Sequence, residues 1–322
     1  MAPLAIGYLL PTRDQTARGD HETEQLVDQA RRAESLGFDS VWAGDSPVTR
    51  PRADPLLLLA AVAIATRGIT LGTAVLLPAL RHPVLLAHQL ATLDRLADGR
   101  LVVGMGGGFP SPGTEAQFAA VGVAFPDRIS RLEESIEAMR RLWTGQEVSF
   151  TGRHFDFRDV RLAPAPARPA GPPIWLAGGG EPALRRVARL ADGWLPYPPA
   201  VQDYARDLAA IRQAAVRTLT PALYATLCLD EDPERARARL RTSIERYYNA
   251  PLEAVETVQA MFAGTAHEAA DWLNSYTGAG ARHMVIRLAV DDHHAGLEEF
   301  AGRVLPLIRP LDRPVARTEG HS

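Results

Sequence analysis

Pro172-Pro-Ile-Trp-Leu-Ala177-Gly178-Gly179-Gly180-Glu-Pro-Ala-Leu-Arg-Arg-Val-Ala-Arg-Leu-Ala-Asp-Gly-Trp194 runs from an apolar segment through three glycines into a helical pattern. Ile174 to Ala177 read as a short buried strand. Leu184, Val187, Ala188 and Ala191 recur at helical spacing, and Pro182 suits a first helical turn. Glycines let a backbone approach an anion closely, and the free N–H groups and positive dipole end of a helix supply charge without a cationic side chain. The stretch therefore reads as a phosphate cradle or as a plain glycine turn joining strand to helix.

Outward from it the chain alternates. Apolar strand-like runs at Leu4–Leu10, Ser40–Gly44, Ile69–Leu77 and Leu101–Met105 precede the cradle, and runs at Trp194–Pro196, Ala222–Leu229 and His283–Leu288 follow it. Helical patterns stand between them, at about residues 23–36, 55–66, 84–96, 127–143, 201–217 and 266–277, with further helices within 233–262 and a last one at 297–308. Asp54 before Pro55 is placed as a helix cap, and Thr265 with Glu268 has capping-box spacing. A polar loop is expected from Pro11 to Asp20. Eight strands, each followed by helix, with right-handed crossovers, predict a (β/α)8 TIM barrel, one domain over residues 1–310. Residues 145–172, with short alternating patches and a Pro-rich run, read as an insertion covering one end of the core; 311–322 read as a loosely held tail.

Gly178-Gly-Gly-Glu-Pro-Ala183 also matches G-x-G-x-x-A, so a dinucleotide-binding fold competes. No acidic residue ends a second strand about 20 positions later, as that fingerprint requires, and the motif interrupts an eightfold alternation.

Composition narrows the chemistry. All 35 basic residues are arginine, which removes the lysine Schiff base and the P-loop lysine, and a net charge of -3 speaks against a nucleic-acid partner. The single cysteine, Cys228, permits no disulfide or iron–sulfur cluster and reads as a buried apolar residue. Histidines 82, 88, 154, 267 and 283 lack metal-ligand spacing, so no metal site is expected; His82 and His154 read as structural. No apolar stretch reaches membrane-spanning length and no leader precedes the first strand, so a cytoplasmic protein is expected.

A barrel carries its chemistry on the loops after its strands. Asp45 and Ser46 fall there, as do Thr73–Val75, Gly106–Phe109 and Gly178–Gly180. Asp45 is expected to point into the mouth. Ser46 has no histidine nearby in sequence to activate it. Arg50 and Arg52 read as solvated loop residues or as holders of an anionic substrate or cofactor tail.

The ordered set Leu36-Gly-Phe-Asp-Ser-Val-Trp-Ala-Gly-Asp45, Leu71-Gly-Thr-Ala-Val75, Arg81-His-Pro83, Gln89-Leu-Ala-Thr-Leu-Asp94, Gly99-Arg-Leu101, Phe150-Thr-Gly-Arg-His-Phe155, Pro173-Ile-Trp-Leu-Ala-Gly-Gly179 and Ala191-Asp-Gly-Trp194 resembles the bacterial luciferase-like monooxygenase superfamily. The resemblance implies a barrel using the deazaflavin coenzyme F420 for hydride transfer, or reduced FMN with oxygen. It places the cofactor phosphate on Gly178, Gly179 and Gly180, and a non-prolyl cis peptide behind the ring at Thr73-Ala74-Val75, between Ala74 and Val75. Gly106, Gly107 and Gly108 would line the ring's other side, with substrate beneath loop 106–126 and the 145–172 insertion. Asp45 and Ser46 stand where deazaflavin-dependent relatives carry Asp-His; a serine hydroxyl donates a hydrogen bond but is no acid or base near pH 7. A small organic substrate, F420 in preference to FMN, and a homodimer formed through apolar helices such as Leu56–Ala65 are expected. A flavin-dependent monooxygenase and a non-catalytic flavin-binding protein are the rival readings.

Overall fold

The structure, a computed structural model, describes residues 4–198 and 200–308. Eight parallel strands close a barrel: β1 (Ala5–Leu9), β2 (Ser40–Ala43), β3 (Thr70–Thr73), β4 (Leu101–Met105), β5 (Ile174–Leu176), β6 (Gly193–Trp194), β7 (Thr220–Leu229) and β8 (His283–Leu288). Each pairs with the next, β6 with β7 through Gly193↔Thr220 and Trp194↔Pro221, and β8 closes on β1 through Ala5↔His283 to Tyr8↔Ile286. The eightfold reading of the alternation holds, and closure excludes the open dinucleotide-binding sheet. The tail 311–322 lies outside the described residues.

Aromatic side chains fill the lower barrel. Trp42 and Trp175 meet at 5.2 Å between ring centroids, and His283 packs edge-on to both, at 5.5 and 5.0 Å. Small neighbours make the room. A Cβ on Gly7 or Gly72 would lie 2.5 Å or less from Trp42 atoms, and one on Gly193 would lie 2.4 Å from Trp175. The plug is held by polar contacts: the Trp42 Nε1–H donates to Ser40 Oγ at 2.7 Å, and Ser40 Oγ and His283 Nε2 stand 2.7 Å apart. Space is therefore left only above this layer, at the C-terminal ends of the strands.

Four local expectations are corrected. The polar loop after β1 contains a helix, Thr12–Ala17, whose Thr12, Arg13 and Asp14 are buried. The run read as one strand, 69–77, is strand only over β3. The Ala74–Val75 peptide is cis, as expected, and Leu76 bridges back to Met105. A further helix, Pro112–Ala120, follows β4. The span 233–262 holds helices Pro233–Tyr248 and Leu252–Glu256, but Phe262 belongs to a short strand, Met261–Gly264. That strand pairs with residues 226–229 of β7, on the edge opposite β8.

The 145–172 insertion is an antiparallel hairpin, Glu147–Thr151 with Asp156–Arg161, packed on helix Arg128–Leu142. Phe150 and Phe155 bury against Ala138, and the Glu134 carboxylate accepts the N–H groups of Arg153 and His154 at 2.9 Å. None of its residues lines the cavity at the mouth. Among the described residues no helix is long and apolar enough to cross a membrane.

Candidate active site

A cavity of about 390 Å³ opens at the C-terminal end of the barrel. Its lining comes from two sources. Ala74, Val75, Leu77, Gly108, Ala177 and Leu195 belong to the loops after β3, β4, β5 and β6. Arg50, Arg52, Tyr197, Tyr224, Tyr247 and Tyr248 line it as well, together with apolar residues of the segment 250–258.

The glycine elbow sits at this same rim, directly after the cavity-lining Ala177. Gly178 and Gly180 have φ of 120° and 77°, a region that favours glycine. A Cβ built on Gly179 or Gly180 meets nothing within 4 Å, so both face open space. Helix Glu181–Leu190 begins there with Pro182 in its first turn and no side-chain cap. Among the described residues, the N–H groups of Gly179, Gly180 and Glu181 donate no hydrogen bond within the protein. The Trp194 indole pins the elbow, donating to the Gly178 carbonyl at 3.0 Å. Three unclaimed donors at a helix N-terminus beside a cavity are what a phosphate requires.

Gly106, Gly107, Asp45 and Thr73 all meet partners inside the protein. A Cβ on Gly106 would lie 2.7 Å from Val75 and one on Gly107 2.5 Å from Ile129, so both glycines face side chains of the protein; only Gly108 of the three lines the cavity. Asp45 lines the cavity, and its carboxylate is already engaged within the protein. Its carboxylate accepts from Arg81 at 2.5 and 3.2 Å and from the Leu77 N–H at 2.9 Å, with the side chain 2% exposed. Burial works against the Arg81 charge, yet its contacts with Asp45 and Asp54 outweigh this and raise its pKa. Asp45 thus fixes the residues after the cis peptide to the loop after β2. Thr73 is likewise engaged, donating to the Gly104 carbonyl at 2.7 Å.

Ser46 is 8% exposed and fully engaged: its hydroxyl donates to Gln117 Oε1 at 2.9 Å and accepts from the Arg50 N–H at 3.0 Å. The same Gln117 oxygen accepts the N–H groups of Val48 and Thr49 at 3.1 Å. Gln117, itself 1% exposed, therefore shapes the loop that carries Arg50 and Arg52. Sequence reasoning missed it, because helix Pro112–Ala120 hides behind a Pro- and Gly-rich start.

The tyrosines were also missed. Tyr247 and Tyr248 end helix Pro233–Tyr248, which stops at Asn249 in the left-handed conformation with φ of 51°. Their rings are 4.8 Å apart, and Arg50 lies over Tyr248 at 5.1 Å. Burial raises the pKa of Tyr197 and Tyr224 and pushes Tyr248 up to about 12. The adjacent Tyr-Tyr pair was the available signal. Cys228 is buried, and burial pushes its thiol up to about 11. His82 accepts from the Val84 N–H as a helix cap, and His154 lies 2.7 Å from Ser130 Oγ, neither near the cavity. No cluster of metal-ligating residues occurs among those described.

The family model for luciferase-like monooxygenases matches residues 4–299. The chain belongs to the luciferase-like monooxygenase family. An F420-dependent glucose-6-phosphate dehydrogenase of Kineococcus radiotolerans is 30% identical to this luciferase-like chain, over 96% of it and 98% of the relative. An F420-dependent hydroxymycolic acid dehydrogenase of Mycobacterium tuberculosis is 35% identical over 64% of this chain and 59% of its own length. Among solved structures, the monooxygenase RslO1 of Streptomyces bottropensis superposes with a TM-score of 0.80 at 25% identity, covering 94% of this chain and 99% of its own. An F420-dependent secondary alcohol dehydrogenase shares the fold, with a TM-score of 0.76 at 21% identity over 96% of this chain and 100% of its own.

Proposed function

We propose that this luciferase-like protein is an F420-dependent oxidoreductase acting on a small organic substrate. The observation that carries the reading is the open glycine elbow with its three unclaimed N–H donors, set beside a cavity walled by the cis Ala74–Val75 peptide. Gly178, Gly179, Gly180 and the helix after them would hold the coenzyme phosphate, while Ala74, Val75, Leu77 and Gly108 would bed its ring. The relatives' F420 dependence supports the deazaflavin over FMN. Bound there, the coenzyme supplies or accepts a hydride at its ring carbon C5.

The cavity's own residues favour one direction. Among the described residues no imidazole lines it, and the one carboxylate that does, Asp45, is committed to Arg81 and the Leu77 N–H. Oxidising an alcohol releases a proton that needs an acceptor; reducing a carbonyl or activated double bond needs a donor. The wall offers phenols, and with burial raising Tyr197, Tyr224 and Tyr248, these are protonated at neutral pH and donate. Reduction of substrate is therefore the reading, the phenol regaining its proton from water.

Titrating the protein with F420 and with FMN tests this. Stoichiometric binding of F420, followed by loss of reduced-F420 absorbance on adding a ketone or enone, is expected. Tight FMN binding with NAD(P)H-driven oxygen consumption would reverse the choice. A cytoplasmic homodimer belongs to the same proposal: Leu57 and Ile64 on helix Pro55–Ala65 are 76% and 67% exposed, and Leu85 on the adjoining helix is 65% exposed, which supports a paired apolar face. Sedimentation at micromolar concentration checks it, and a monomer there would refute it.

A further inference from the structure

The strand order sets β1 and β2 across the barrel from β5 and β6, so the loops after β1 and β2 face the mouth from the side opposite the glycine elbow. Those loops carry Arg13, Arg50 and Arg52, and the three guanidinium groups gather on one tyrosine pair. Arg13 lies 4.6 Å from the Tyr247 ring centre and 6.0 Å from that of Tyr248. Arg52 lies 5.8 Å from Tyr247, and Arg50 lies 5.1 Å from Tyr248. Arg52 Nη1 also stands 3.4 Å from the Tyr247 hydroxyl.

None of the three has a carboxylate partner among the described residues. The nearby acids are spent elsewhere: Asp45 on Arg81 at 2.5 Å and Asp14 on Arg287 at 2.7 Å. Arg13 is only 8% exposed, and its Nη1 is buried with no hydrogen-bond partner. A buried, unpaired guanidinium is costly, and two further cations beside it add to the cost. Burial, with Arg52 and Arg50 adding to it and Tyr247 opposing, pulls the Arg13 pKa down to about 10. Such an arrangement is at rest only when a negative charge lies among the three. The coenzyme phosphate is not that charge, because its cradle is on the other side of the mouth.

We propose that Arg13, Arg50 and Arg52 bind an anionic group, a carboxylate or a phosphate, on the substrate, with Tyr247 and Tyr248 forming the wall against its body. The assignment rests on the reading that the glycine elbow holds the coenzyme. Charge-assisted contacts from planar guanidinium forks suit either oxyanion, and both arginines at 50 and 52 line the cavity directly.

The test uses the full chain and three probes of matched shape: benzoate, phenyl phosphate and benzyl alcohol. Calorimetry and thermal melts should show at least one anion binding and raising the midpoint, at least tenfold more tightly than the alcohol. Raising KCl from 50 to 500 mM should weaken it, and Arg52→Gln and Arg50→Gln should each weaken it at least tenfold, with Arg52→Lys recovering part. Both variants should bind F420 within twofold of the unaltered protein. Equal binding of alcohol and anions would overturn the proposal. So would variants that lose F420 while keeping the probes, which would hand the cluster to the coenzyme's acidic tail. Failure of the unaltered protein to bind F420 would instead remove the coenzyme reading, and with it the assignment of this anion to a substrate, even where the probes bind.

Discussion

Replacing Gly179 with valine separates the elbow's role in binding from its role in folding. Its φ is not in the positive region, and a Cβ there meets nothing within 4 Å, so the fold accepts the side chain. Reduced freedom of the unfolded chain makes the expected change in stability small, about 1 kcal/mol or less in either direction. The phosphate loses more. A charge-assisted hydrogen bond from a backbone N–H contributes about 1.5–3 kcal/mol, and a branched side chain in the cradle removes at least one of the three on offer. F420 affinity should therefore fall by about 10- to 150-fold. Fluorescence titration measures it, with thermal melts run alongside. The control is the deazaflavin nucleoside that lacks the phosphate, whose affinity should change less than threefold. Equal losses for both ligands, or no loss for either, would refute a phosphate at the elbow.

Gly180→Ala should behave differently, because φ of 77° with ψ of 154° is glycine territory: it should cost about 1–3 kcal/mol of stability as well as coenzyme affinity, read by urea unfolding. Asp45→Asn should destabilise by about 2–3 kcal/mol, less than the about 3–5 kcal/mol of a fully buried pair, because Arg81 is 20% exposed and keeps Asp54 nearby; a change below about 0.5 kcal/mol in urea unfolding would contradict it. Trp42→Ala empties the plug and should cost about 3–5 kcal/mol, again by urea unfolding. Burial lowers the pKa of His283 to about 4, and burial chiefly does the same to His293. An unfolded histidine titrates near about 6.5, so between that pH and about 4 the unfolded chain binds more protons and stability falls as pH falls. Unfolding midpoints should drop steadily from pH 7 to pH 4.5, and His283→Asn should flatten part of that slope.

What could be read directly from the residues was what neighbours in sequence decide. The elbow is local: strand, glycines, Pro182 and helix follow one another, and their meaning needs no distant partner. Asp54 and the Thr265–Glu268 box are local too, and both cap as expected. What was not legible shares a cause. Helix Thr12–Ala17 has no apolar face, because Asp14 is buried against Arg287, 273 positions away, and Arg13 against Tyr247. Ser46 resembled a weakened catalytic position until Gln117, 71 positions on, claimed its hydroxyl. Asp45 lines the mouth where the barrel rule aims it, but Arg81, 36 positions on, engages its carboxylate.

That division follows the division of the cavity. The side proposed for the coenzyme is built largely of backbone, with donors at a helix end and a cis peptide as a wall, and few side chains can alter it. The side proposed for the substrate is built of side chains that meet only in the folded chain: arginines from the loops after β1 and β2, and tyrosines from the span that follows β7. Exchanging residues 230–260 for the corresponding span of another family barrel should therefore change which anions bind, while leaving F420 affinity within about threefold, since that span supplies none of the elbow or the bed of the ring. A graft that folds and loses F420 together with the anions would mean that the two sides are one site, held by the same residues.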